Sequence, residues 1–292
     1  MKWDFNNLAY GADKNQNLDI LIPQKKEVHA IVYIHGGAYL SGTKIQYPLF
    51  LMDYAKDNIF ASIDYRVINE DNDIKMKDIL SDVHNAMLKI DELASVHNVS
   101  IRDFILIGHS AGGHIVLLYG YENYNKNEKI KIAACISLSG PTDFTDDSGW
   151  SAMSMWGEDL ESRLSFLSYM GTRLTGHNIE LTQRLWTKQK DFKLFGKYVT
   201  DISPIIYVNK MNKIPPTLLV HAKGDDQVPY SNAVRLKTVL DKTSVPHQLI
   251  TAEGSADNHM LGGAVYNDTD PILFKNQIWV DEAKTWMETY LI

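Results

Sequence analysis

The chain has a single cysteine, Cys135. One thiol builds neither a disulfide framework nor a thiolate metal cluster, so a stapled mini-fold and a cysteine-ligated zinc site are both excluded. Its setting, IAACISLSG, reads as a buried strand, which predicts an inert packed thiol rather than a nucleophile. Basic clusters are missing too. With a formal net charge of -7 and no interleaving of basic with aromatic residues, a long polyanion such as nucleic acid is not expected as a partner. No uninterrupted apolar run approaches the length of a bilayer span, and the opening MKWDFNNLAYGADKNQ lacks the apolar centre of a secretory leader. A cytoplasmic location is the default expectation. The polar bias of a disordered chain is equally absent, since hydrophobic residues make up 45% and charged residues 22%. No internal repeat or low-complexity tract stands out. A length of 292 residues leaves room for one large domain or two modest ones.

What is present is an alternation. Short apolar runs rich in β-branched residues are separated by longer segments of helical period, the pattern of a mostly parallel sheet covered by helices. The strand candidates are LDILI (Leu18 to Ile22), AIVYIH (Ala30 to His35), IFASIDY (Ile59 to Tyr65), FILIG (Phe104 to Gly108), IAACISLS (Ile132 to Ser139), TLLVHA (Thr217 to Ala222) and HQLITA (His247 to Ala252). Helices are predicted from Asp78, from Ser110, from Ser231 and from Leu273; in the first, Ile79, Val83, Met87 and Ile90 line up on one face. One segment breaks the rhythm: about sixty residues separate SLSGPTDF from ISPIIYVNK, too many for a structureless loop in a compact domain. A helical insertion over approximately 145–200 is expected, with Leu160, Leu164 and Leu167 on one helical face and Trp150, Trp156, Trp186, Phe192 and Phe195 adding aromatic area. Taken together these could wall an apolar pocket.

The stretch GHSAGG, Gly108 to Gly113, places one hydroxyl among small residues where a strand pattern gives way to a helix pattern. A chain that turns directly from strand to helix strains the residue at the turn and needs small neighbours to pass. That geometry lifts Ser110 above the sheet edge and aims the N–H of Ala111 at the same space. A serine at its ordinary acidity is a poor nucleophile, so the reading requires a base, a carboxylate that orients it, and donors for an oxyanion. For the donors, YIHGGAYLSG (Tyr33 to Gly42) follows a strand, and its glycines allow outward-facing N–H groups; Gly37 and Ala38 join Ala111 as candidates. For the base, acid and base follow such a serine in chain order. Of the ten histidines this leaves His247, inside a strand, and His259, in the loop EGSADNHMLGG, which is the better placed. For the acid, KGDDQ leaves the strand TLLVHA at the sheet's carboxyl edge, where open α/β folds gather their sites. Spacing does not choose between Asp225 and Asp226.

HGGAY, DYR (Asp64 to Arg66), GHSAGGH, PPTLLVHAKGDDQVPYSNAVRL and the late NH, taken in that order over nearly the whole chain, resemble the α/β-hydrolase superfamily. The resemblance is to its small esterase/lipase branch, which includes hormone-sensitive-lipase-like esterases and kynurenine formamidases. It implies an α/β-hydrolase fold as a single domain over residues 1–292 with a helical cap at approximately 145–200. Laying that branch's H-G-x-x-D-x-x-V-P pattern on His221 to Pro229 implies Asp225 as the acid, hence a triad of Ser110, Asp225 and His259 with an oxyanion hole from Gly37, Ala38 and Ala111. Two departures stand out: Ala38 replaces a third glycine, and Tyr39 brings the turn nearer the H-G-G-x-W pattern of the formamidases. Asp64, Tyr65 and Arg66 are expected to anchor a loop beneath the site. The implied activity is a carboxylesterase-type serine hydrolase acting on small short-chain or acetyl esters through an acyl-enzyme, with no metal or organic cofactor. The alternatives are an arylformamidase or other amidase, and a binding protein on the same scaffold.

Overall fold

The computed structural model describes residues 3–145, 157–181, 196–211, 213–253, 258–264, 270–275 and 277–292. Trp150, Trp156, Trp186, Phe192 and Phe195 lie outside the described residues. The strands are β1 (Phe5–Ala9), β2 (Asn17–Leu21), β3 (Glu27–Ile34), β4 (Ile59–Ile63), β5 (Ser100–His109), β6 (Ile132–Leu138), β7 (Thr217–Ala222) and β8 (His247–Ala252). They form one 8-stranded sheet in the order β1-β2-β4-β3-β5-β6-β7-β8. Pairing is antiparallel for β1 with β2 and β2 with β4 and parallel from β4 onward. The carboxyl ends of β3, β5, β7 and β8 therefore share one rim, where Gly37, Ala38, Asp225 and His259 stand in loops and Ser110 and Ala111 open the helix that follows β5.

Helices cover both faces, which is why the inner strands read as continuous apolar runs rather than alternating ones. On one face, Ala30, Val32, Ile34, Phe104 and Leu106 pack against α1 (Met76–Val96), α2 (Ala111–Asn123), α3 (Leu160–Thr175), α4 (Pro204–Lys210) and α5 (Tyr230–Leu240). On the other, Ile31, Tyr33, Ile105, Ile107 and Ile136 pack against α6 (Ile278–Glu288) and a 3-10 turn at Leu49–Tyr54. The apolar stripe of α1 is the predicted one: Ile79, Val83, Met87 and Ile90 are all buried. Its start is fixed by the Asp78 carboxylate, which accepts the Lys75 N–H at 2.9 Å, and Asn98 ends it in the left-handed region at φ 58. Helix α3 is bounded by equally local chemistry. The Asp159 side chain accepts the Ser162 N–H, and Gly176 closes the helix at φ 76.

Three elements differ from the sequence reading. Helix α6 begins at Ile278 rather than at Leu273, which pairs with Ala264 in a short β-bridge. Strand β1, FNNLA, goes unannounced because two asparagines and an edge position leave it without a buried face. Helix α4, PIIYVNK, is short and opens on proline, so its period is too brief to read, although proline suits a first turn. Within the segment from β6 to β7, α3 buries Leu164 and Leu167 as expected while Leu160 is only partly covered.

Candidate active site

Ser110 stands between β5 and α2 with φ 54 and ψ -121, a conformation that costs a non-glycine residue about 1–3 kcal/mol. The surroundings hold it there. Its N–H donates to Leu138 O at 2.8 Å, and its carbonyl accepts the His114 N–H at 3.1 Å. Gly112 brings α2 so close to β3 that a Cβ there would run into the carbonyls of Ile34 and His35. The Ser110 side chain makes no capping hydrogen bond to α2, so the hydroxyl is not occupied as a helix cap.

The loop after β7 carries Asp225, 5% exposed, and the loop after β8 carries His259, 4% exposed. They meet: His259 Nδ1 lies 3.0 and 2.9 Å from the two carboxylate oxygens. Asp225 Oδ1 also accepts the N–H groups of Gln227 at 2.9 Å and Val228 at 2.8 Å. His221 Nε2 reaches Oδ2 at 3.1 Å. Burial works against the charged carboxylate, but the hydrogen bonds from His221 and His259 outweigh it and hold the group well below the ordinary range. Asp225 is therefore an anion that fixes a proton on His259 Nδ1 and leaves Nε2 as the basic nitrogen. Asp226 does not take part in this pairing. His247, the other late histidine, binds Asp241 at 2.9 Å and the Val245 carbonyl at 2.8 Å, away from the rim.

The turn after β3 supplies the third part. Gly37, Ala38 and Tyr39 all have positive φ, at 103, 51 and 64. Gly37 alone of these pays nothing for that conformation, and its absent Cβ clears the Ser41 carbonyl. Three consecutive residues of this kind turn the peptide N–H groups outward. Those of Gly37, Ala38 and Ala111 have no protein acceptor among the described residues. The strain is held from both sides. The buried Tyr39 hydroxyl donates to His114 Nδ1 at 2.9 Å, while His114 Nε2 donates to Ile202 O at 2.6 Å. Burial pushes His114 down to about 4, which keeps it neutral and able to accept. Underneath, His35 stacks on Tyr65 at 4.3 Å between centroids, and the Tyr65 hydroxyl donates to His35 O.

Asp64 braces the chain around this turn, and Arg66 ties the segment after β4 to α1. Asp64 accepts the Lys44 N–H at 2.6 Å and the Lys44 ammonium at 3.3 Å, and Arg66 forks onto the buried Asp82. Lys44 is only 4% exposed and also faces Asn7 at 2.7 Å and Asp19 at 3.6 Å. Removing one partner of such a buried cluster strands the rest, so Lys44→Met is expected to destabilise the fold by about 3–5 kcal/mol. Denaturant unfolding measures it, and a change under about 1 kcal/mol would show that the cluster holds nothing.

Two cavities meet at Ser110. The larger, about 440 Å³, is lined by Tyr33, Gln46, Gln227, His259, Met260 and Ile272 among others, together with the Gly36–Ala38 turn. The smaller, about 50 Å³, is apolar and walled by Phe144, Phe166, Leu167, Met170, Leu174 and Val228, with Ala38 and Ala111 beside the serine. His259 lines only the first of these. Ser110, His259, Gly37 and Ala38 thus face one space, and Asp225 lies directly behind the imidazole. Two contributors escape the sequence reading: His221 as a second donor to Asp225, and His109, whose ring binds the His259 main chain. The first position was signalled by the opening histidine of the acid-loop pattern. The Cys135 thiol is fully buried, and burial pushes it above its usual range, as an inert packed cysteine requires.

Comparison with known proteins agrees with this architecture. Residues 18–240 match the family described as BD-FAE. A curated relative, the probable isoprenylcysteine alpha-carbonyl methylesterase of Oryza sativa subsp. japonica, is 23% identical over 264 residues, covering 85% of this chain and 56% of that protein. The chain thus spans about half the length of the curated relative it matches. Among solved structures, esterase B of Lactobacillus rhamnosis superposes with a TM-score of 0.67 at 16% identity, covering 97% of this chain and 83% of that one. A truncated carbohydrate esterase from gut microbiota gives 0.64 at 20% identity, covering 98% and 95%. With a parallel sheet, a strained serine turn and a matched stretch from β2 to the end of α5, the chain belongs to the BD-FAE family of α/β-hydrolase-type esterases.

Proposed function

We propose that the protein is a serine carboxylesterase whose triad is Ser110, His259 and Asp225 and whose oxyanion donors are the N–H groups of Gly37, Ala38 and Ala111. The observation that carries this reading is the buried Asp225–His259 pair opening, through the imidazole, onto the cavity that also exposes Ser110. In the first half-reaction His259 Nε2 takes the Ser110 proton as Oγ bonds to the ester carbonyl carbon, and the carbonyl electron pair moves onto oxygen. The partnerless N–H groups meet that oxyanion; one such donor contributes on the order of 3 kcal/mol in comparable sites. Collapse of the tetrahedral species breaks the C–O bond, and His259 delivers its proton to the departing alcohol. Water then repeats the sequence on the acyl-enzyme, regenerating Ser110 and releasing the acid.

The proton path assigns the two cavities. Because His259 must protonate the leaving oxygen, the alcohol occupies the cavity that His259 lines, and the acyl chain takes the apolar pocket on the far side of Ser110. One water needs about 10–15 Å³ of such space, so about 50 Å³ accommodates roughly four non-hydrogen atoms. Acetyl to butyryl groups fit. The alcohol cavity is roomier, and no Asp, Glu, Lys or Arg lines it, while Gln46, Gln227, Ser41 and Tyr33 are able to hydrogen bond. An uncharged, hydroxyl-bearing alcohol suits it, in keeping with the carbohydrate esterase among the structural neighbours.

A p-nitrophenyl series tests the assignment. Turnover per KM should be highest for acetate to butyrate and fall sharply at hexanoate and octanoate. Met170→Ala, which opens the end of the acyl pocket, should raise the hexanoate-to-acetate ratio by about tenfold or more, since each methylene accommodated is worth about 1–3 kcal/mol. A flat chain-length profile that ignores Met170 would place the acyl group elsewhere. Faster cleavage of N-formyl aromatic amides than of any of these esters would replace the esterase reading with a formamidase one.

A further inference from the structure

We infer that His109 is a positioning residue that holds the loop carrying the base beside the serine, by donating from Nε2 to the main-chain carbonyl of His259. This rests on the triad proposed above. The contact is 3.0 Å long, between a side chain 6% exposed and a carbonyl one hundred and fifty positions away in sequence. His109 precedes the nucleophile directly, so one covalent step and one hydrogen bond connect the Ser110 backbone to the His259 backbone. The two imidazoles lie 5.1 Å apart between centroids.

The loop that carries His259 needs such a tether. Among the described residues its main chain is otherwise held from outside by Trp279 Nε1, which donates to Leu261 O at 3.0 Å, and by the two-way pairing of Ala264 with Leu273; the contacts of Asn258 with Met260 and Leu261 are local. The tether at Leu261 fixes the loop two residues beyond the base, and the His109 bond fixes the base itself. Asp225 constrains the imidazole only through Nδ1, about which a loosely held loop could still swing. The ring of His109 is placed in turn by the oxyanion turn: a Cβ on Gly36 would stand 2.9 Å from the His109 carbonyl and 3.2 Å from its Nδ1. Nucleophile, base and oxyanion turn therefore converge on one side chain. Burial and the neighbouring His259 push His109 down to about 4, so it stays neutral at working pH and carries a single ring proton. Facing a carbonyl, that proton sits on Nε2.

The test uses p-nitrophenyl acetate with the full chain. His109→Leu removes the donor and keeps an apolar filling, while His109→Gln retains an N–H at similar reach. Displacement of a catalytic group by a fraction of an ångström to one ångström costs about 10- to 100-fold, so His109→Leu should lose that much in kcat with KM changed by less than about threefold. His109→Gln should recover most of the loss. Ser110→Ala and His259→Ala run alongside. If either retains wild-type turnover, the triad itself is wrong and the inference goes with it. If both are dead while His109→Leu keeps kcat within about twofold of wild type, or Gln fails to rescue a folded Leu variant, the positioning role alone is overturned. Should the Leu variant not fold, nitrogen-15 NMR of wild-type imidazoles decides: a neutral His109 protonated on Nε2 is required, and a neutral ring protonated on Nδ1 contradicts it.

Discussion

Ser110→Ala is expected to lower kcat for p-nitrophenyl acetate by about a millionfold, the scale seen when a triad nucleophile is removed from a comparable serine hydrolase, with melting temperature unchanged. Both halves of that expectation come from the same geometry. The hydroxyl caps nothing in α2, and its N–H and carbonyl keep their partners in Leu138 and His114 whatever the side chain is. Alanine inherits the same strained φ and ψ as serine, so the backbone cost is present in both proteins and cancels. The two cavities that meet at Ser110 keep all their other lining residues in the variant, so substrate affinity should persist. A serine that served only to end a strand and begin a helix would give the opposite pattern, with activity kept within about tenfold and roughly 1 kcal/mol of stability lost.

Asp225→Asn is expected to cost about ten-thousandfold in kcat, and the reason lies in which oxygen each neighbour uses. Oδ1 accepts two backbone N–H groups, from Gln227 and Val228, whose directions are fixed by the loop. The asparagine oxygen must stay there, which puts its NH₂ where Oδ2 had been, 2.9 Å from His259 Nδ1 and 3.1 Å from His221 Nε2. Donor would then face donor on that side, leaving His259 Nδ1 only its 3.0 Å contact to the oxygen already taken by two N–H groups. The relief is for His259 to move its proton to Nε2, the nitrogen that must be bare to accept from Ser110. The variant should therefore bind substrate normally and turn it over hardly at all, whereas Asp226→Asn should behave like wild type. Steady-state kinetics on the pair decide between the adjacent carboxylates; equal losses at both positions would contradict the assignment. The wild-type carboxylate also has a consequence for stability. Its folded-state acidity is displaced below the unfolded value, so the stabilisation it gives is present above the ordinary aspartate range near pH 4 and is lost as pH falls below it.

Much of the fold was legible because its signals are local. The strands that carry the site were bounded within a few residues by β-branched runs, and the stripe of α1 follows directly from spacing. The serine turn was readable because strain demands small neighbours, and glycine cannot be disguised. What the chain hid were relations between distant segments. Nothing in the spacing of KGDDQ told Asp225 from Asp226; the choice depended on family pattern, and in the fold it depends on which carboxylate the loop aims at His259. His109 was visible as a residue but not as a partner, because its acceptor lies on another loop, and His221 because only the turn after β7 folds Asp225 back onto it. Lys44 gave no signal at all. A lysine in the stretch SGTKIQ reads as surface, and only the meeting of β2, β4 and the oxyanion turn encloses it among Asp19, Asp64 and Asn7. The edge strand β1 failed for the opposite reason, having too little buried surface to impose a pattern.

The central claim is that Ser110 is an activated nucleophile, and covalent labelling addresses it without any knowledge of the natural substrate. Folded protein treated with a small fluorophosphonate should gain the mass of one phosphonyl group, with fluoride lost, and fragmentation should place it on Ser110. His259→Ala should label far more slowly. Wild-type protein that remains unlabelled, or that carries the adduct on another residue, would contradict the account.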